Sequence, residues 1–109
     1  MSEADRLDSV EHGLRALLIG TQLLGDAVQE ERPARYTVLM AQELRTLLEM
    51  VLARAVAEQS ESDIMPDLRD VQGYLEETLY LMSNSFKKKV VSVQVDAMIR
   101  TLKRLLITQ

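Results

Sequence analysis

His12 is the only histidine in the chain, and it stands beside Glu11 with no thiolate or second imidazole to join it. An imidazole works in a site when a partner fixes its orientation and protonation. The spacing puts His12 off the apolar seam of its segment, so it reads as a surface residue. Glu43, Glu49, Glu76 and Glu77 are the remaining material for acid–base or metal chemistry. A helical di-iron centre would need Glu-x-x-His pairs projecting inward, and the sequence has none. These glutamates fall on polar faces and read as a solvated surface. No Gly-x-Ser-x-Gly turn supports a serine nucleophile. No cysteine offers a thiolate or a disulfide. Gly13, Gly20, Gly25 and Gly73 all lie within helical patterns, so no glycine-rich phosphate loop exists. The expectation is a protein without catalytic, cofactor or metal site, and not an enzyme.

Two other features could carry function. The first lies between residues 2 and 29. Leu7, Val10, Leu14, Leu17, Thr21, Leu24 and Val28 repeat with a seven-residue rhythm, the mark of a helix packed lengthwise against near-parallel neighbours. Ala16, Ile19 and Leu23 make a second stripe on another side of the same helix. One apolar face is enough for a surface helix, so the second stripe is a candidate interface with another subunit or protein. Gly13 and Gly20, one heptad apart, flank the seam. Each costs about 1 kcal/mol against Ala in a helix interior. Either they admit a closely packed helix, or the segment tolerates flexibility and stops near Gly25, with Asp26 capping a continuation.

The second feature is charge. The formal net charge is −4, but it is unevenly spread. Residues 1–86 sum to −9, whereas residues 87–109 carry Lys87, Lys88, Lys89, Arg100, Lys103 and Arg104 against Asp96 alone. On a helical wheel Lys87, Lys89, Arg100, Lys103 and Arg104 occupy the arc opposite Val91, Val95, Met98, Leu102 and Leu105. Such a helix can dock phosphates, an anionic membrane or an acidic protein. Gln94 is the one nearby base-edge reader, no aromatics interleave for stacking, and the acidic body repels DNA. An acidic protein partner therefore ranks above nucleic acid or membrane. The alternative is a face that only favours the helix dipole and pairs with acidic neighbours.

The elements that must hold these features are four amphipathic segments, expected as helices over residues 2–29, 34–58, 63–83 and 86–107. Ser2 is placed to cap the first, with Glu3 and Asp5 in its first turn. Pro33 suits the start of the second. Ser62 or Asp63 would cap the third, with Pro66 in its first turn. The fourth is least secure, because Val91, Val93 and Val95 alternate with polar residues as in a strand. An isolated strand would have no partner, so a helix is expected there too. Short connections imply one domain over residues 1–109, an all-α up-and-down bundle of four helices.

No run is long enough to span a bilayer, and an acidic N-terminus argues against a signal peptide. A cytoplasmic location is therefore expected. The functional expectation is a non-enzymatic protein–protein interaction module, a helical adaptor, chaperone or regulator that forms a homodimer or binds another protein. The alternative is a dimeric regulator that uses the basic C-terminal helix on nucleic acid.

Overall fold

The computed structural model describes residues 10–58, 61–84 and 87–108, with backbone alone at 61–63 and 108. Four helices follow in order: α1 Val10–Gln29, α2 Ala34–Ala57, α3 Glu61–Asn84 and α4 Lys88–Thr108. Each packs against two neighbours in a ring, α1 on α2 and α4, and α3 on α2 and α4. This is the all-α up-and-down bundle, with no strand among the described residues. No described helix is long and apolar enough to cross a membrane.

The core follows the 3.6-residue period. Val10, Leu14, Leu17, Leu24 and Val28 of α1 are buried against Ala41, Leu44, Leu48, Val51 and Ala55 of α2. Leu68, Val71 and Leu75 of α3 and Val91, Val95, Met98 and Leu102 of α4 close the other side. Each helix also buries one threonine: Thr21, Thr37, Thr78 and Thr101. Burying a hydroxyl is tolerable only when it is bonded. Thr21 donates to the Leu17 carbonyl at 2.7 Å, Thr78 to Tyr74 at 2.7 Å, Thr101 to Ala97 at 2.9 Å and Thr37 to Ala34 at 3.1 Å. Thr21 is therefore a buried and hydrogen-bonded member of the seven-residue seam.

Several boundaries differ from the sequence reading. α1 runs through Gly25 to Gln29 without a stop, because Gly25 packs toward Val95 of α4. Its end is a Schellman turn: Arg32 N–H donates to the Ala27 carbonyl at 3.0 Å and Glu31 N–H to Val28 at 3.1 Å. Glu31 takes the left-handed position usually given to Gly, with φ 58°. Pro33 then sits at the N-cap of α2, its carbonyl accepting from Tyr36 and Thr37. α3 starts at Glu61, ahead of the expected caps Ser62 and Asp63. Pro66 thus lies in the second turn and removes one rung of the backbone ladder.

α4 is helical throughout residues 90–95. Val91 and Val95 are buried while Val93 is exposed, which a strand alternation would not allow. Lys87 precedes the helix rather than riding on it, and its carbonyl accepts from Val91 N–H at 3.0 Å. The expected N-terminal extension over residues 2–9, with Leu7 and the Ser2 cap, and the start at Phe86 lie outside the described residues.

Candidate functional site

The outer edge of α1 and α2 is built from two residue sets that no single helix reveals. From α1 come Ala16, Gly20 and Leu23; from α2 come Met40, Glu43, Leu44 and Leu47. Together they line an open groove of about 260 Å³. Gly20 sets its depth. A Cβ at this position would lie 2.6 Å from Leu44 Cδ2, so the absence of a side chain lets Leu44 lie against α1. Leu23, 55% exposed, forms the α1 lip, and Ile19, 59% exposed, lies one turn before it on the outer face of α1. A second depression of about 240 Å³ shares Leu23 and Met40 with the groove and continues past Asp26, Glu30, Arg32 and Tyr36. The Arg32 guanidinium lies over the Tyr36 ring, 5.8 Å from its centroid, and bonds Glu30 at 3.1 Å.

Placement of the expected interface residues is therefore mixed. Ile19 and Leu23 face solvent, and Ala16 is half-buried in the groove. Gly13 is buried and presents no free surface. The close helix approach expected of the glycines is made at Gly20 by α2 of the same chain. Tyr36, exposed, was not evident in the sequence as part of this edge. Its signal is the spacing Tyr36, Met40, Leu47 on α2, which acquires meaning only once α1 is known to lie beside it.

The basic residues also divide. Lys87, Lys89, Arg100, Lys103 and Arg104 are all exposed. Arg104 bonds Asp67 of α3 at 2.9 Å. Lys88, which precedes the outward arc, holds the end of α1: its Nζ donates to the Gln29 carbonyl at 3.1 Å and lies 3.8 Å from Glu31. Gln29 also donates from Nε2 to Ser92 Oγ at 2.9 Å, tying the same two helix ends. Lys87, Lys89, Arg100 and Lys103 meet no carboxylate within 4 Å among the described residues. Gln94 is half-buried, roughly 120° around the helix from Arg100 at 100° per residue, so it does not stand beside the basic arc.

His12, Glu43, Glu49, Glu76 and Glu77 are exposed. Glu76 lies 3.9 Å from Arg45 of α2. No three metal-ligating side chains converge among the described residues. Between α1 and α4 a smaller groove of about 190 Å³ is lined by Gln22, Asp26, Gln29, Ser92 and Asp96 around Gly25 and Val95. What the geometry supplies is an apolar edge on one side of the bundle and a basic helix face on another.

Comparison with protein-family models, with curated proteins and with solved structures yields no match.

Proposed function

We propose that this chain is a non-enzymatic protein–protein interaction module, a small helical adaptor, chaperone or regulator acting in the cytoplasm. It docks through the α1–α2 edge, and self-association is the first form of that contact. The observation that carries the reading is the exposure of Leu23 on a groove lined also by Met40, Leu44 and Leu47, with Ile19 exposed one turn before it on α1. A monomeric bundle gains nothing by presenting these side chains to water. A partner helix laid along the groove would bury them, each large aliphatic side chain contributing about 1.5–3 kcal/mol when fully covered. Arg32 on Glu30 at 3.1 Å neutralises one charge pair beside the groove, and Glu43 and Asp26 are the acids that remain in its lining. Charge elsewhere orients the encounter more than it strengthens it.

The test is solution mass by light scattering at tens of micromolar. Wild type is expected near twice 12.4 kDa, and Ile19→Glu with Leu23→Glu near 12.4 kDa with helicity retained. A monomeric wild type would remove self-association. Unfolding of the double variant would assign the stripe to the support of the monomer.

Exposed Lys87, Lys89, Arg100 and Lys103 favour a second reading, a regulator that docks nucleic-acid phosphates. Its signature would be duplex affinity falling by about 0.9 log units per neutralised phosphate for each decade of salt.

A further inference from the structure

We propose that the outward face of α4 is a second docking surface, and that its occupant is an acidic amphipathic helix of a partner protein. The proposal rests on the interaction-module reading but uses a face separate from the α1–α2 edge.

Val90, Val93, Ala97, Arg100, Arg104 and Ile107 follow one another at intervals of three and four residues, the spacing of a helix–helix seam. This seam points away from Val91, Val95, Met98 and Leu102, which fill the core. Val90 and Val93, 40% and 60% exposed, lie near the start of the helix, and Ile107, 84% exposed, near its end. Exposed valines add nothing to the stability of the bundle, and Val is a poorer helix former than Ala. Scattered apolar residues on a surface are ordinary. A run in register with a second helix is different, because one partner can cover all of it.

Charge identifies that partner. Of the six described arginines outside α4, Arg15, Arg32, Arg45 and Arg54 have a carboxylate of this chain within 4 Å, and Arg35 and Arg69 have none among the described residues. On the outward face of α4, Arg104 is paired with Asp67 of α3, whereas Lys89, Arg100 and Lys103 meet no carboxylate among the described residues, and Asp96 is the only acid in the helix. The complement is a helix with apolar residues at three- and four-residue intervals, flanked by Asp or Glu. Residues 90–107 would engage roughly 27 Å of it at 1.5 Å per residue.

A lipid surface fits less well. Arg100 and Arg104 interrupt the seam, leaving too narrow an apolar face to insert. An extended polyanion fits less well too. It would reach past α4 to the neighbouring helices, where α3 exposes Asp70 and Glu77 and α1 exposes Asp26. A single helix touches only a strip of about 8–10 Å and avoids those acids.

The test uses the full chain and a labelled synthetic peptide of about three heptads, with Leu at the two seam positions and Glu at the flanking ones. A matched peptide carries Lys in place of Glu. Fluorescence anisotropy is expected to show micromolar binding of the Glu peptide and at least about tenfold weaker binding of the Lys peptide, a difference of about 1.4 kcal/mol. Val93→Asp with Arg100→Glu should weaken the Glu peptide by a similar factor, with circular dichroism unchanged. Ile19→Glu with Leu23→Glu should leave it intact, so failure of the α1–α2 reading is seen separately in the mass measurement. The proposal is overturned by absent binding, by equal binding of the two peptides, or by a Val93/Arg100 variant that binds as wild type does. Preference of the wild type for phosphatidylserine-rich vesicles or for duplex DNA over the peptide would overturn it as well.

Discussion

Gly20 and Leu44 are in contact across the α1–α2 interface, at a distance that leaves no room for a Cβ: one placed on Gly20 would lie 2.6 Å from Leu44 Cδ2. The glycine is thus an intrachain packing device that shapes the floor of an exposed groove. Gly73, in contrast, has no atom within 4 Å of its missing Cβ. Gly73→Ala should raise stability by about 1 kcal/mol through helix propensity alone. Gly20→Ala should gain less, because Leu44 must rotate. Gly20→Leu should lose about 1–3 kcal/mol by overpacking. Urea unfolding followed by circular dichroism gives the order. A Gly20→Ala gain equal to that of Gly73→Ala would mean that the Leu44 contact imposes nothing.

At the end of α1, Glu31 holds a left-handed φ of 58°. Glu31→Gly should stabilise by about 0.5–1 kcal/mol, since Gly takes that conformation without a steric penalty. The lost approach to Lys88, at 3.8 Å and solvent-exposed, offsets little of it. Glu31→Ala keeps the penalty and loses the contact, so it should fall slightly below wild type. Thermal melts of the three proteins should therefore rank Gly, Glu, Ala.

Lys88 and Lys103 are both cations of α4 with different surroundings. Lys88 donates to the Gln29 carbonyl at the C-terminus of α1, where positive charge opposes the helix dipole. Lys88→Ala should cost about 0.5–1 kcal/mol, and Lys103→Ala less than about 0.5 kcal/mol. Equal losses by chemical denaturation would show that the cap contributes nothing beyond general charge.

Val91 and Val93 test the helical register directly. Val91 is fully buried, so Val91→Ala should cost about 2 kcal/mol. Val93 is 60% exposed, and Val93→Ala should be neutral or gain up to about 0.5 kcal/mol. In a strand both valines would lie on one face and behave alike. Comparable losses at the two positions would contradict the α4 register.

The periodicity of single segments was enough to determine the helices and their buried faces. Leu14, Leu17, Leu24 and Val28 are all buried as their seven-residue rhythm requires, and so are Val91, Val95, Met98 and Leu102. Those assignments depend only on how side chains distribute around one helix axis, which the sequence records residue by residue. The tertiary structure decided what depends on two helices at once. It made Gly20 a contact for Leu44, joined Tyr36, Met40 and Leu47 to the Leu23 stripe, and gave Lys88 to the end of α1 and Arg104 to Asp67 while leaving Lys89, Arg100 and Lys103 facing solvent. An amphipathic pattern states which face of a helix is buried, but it carries no label for the neighbour on either flank. Which neighbour it meets is set by the ring order of the helices and their axial register, and those follow from packing the four faces together.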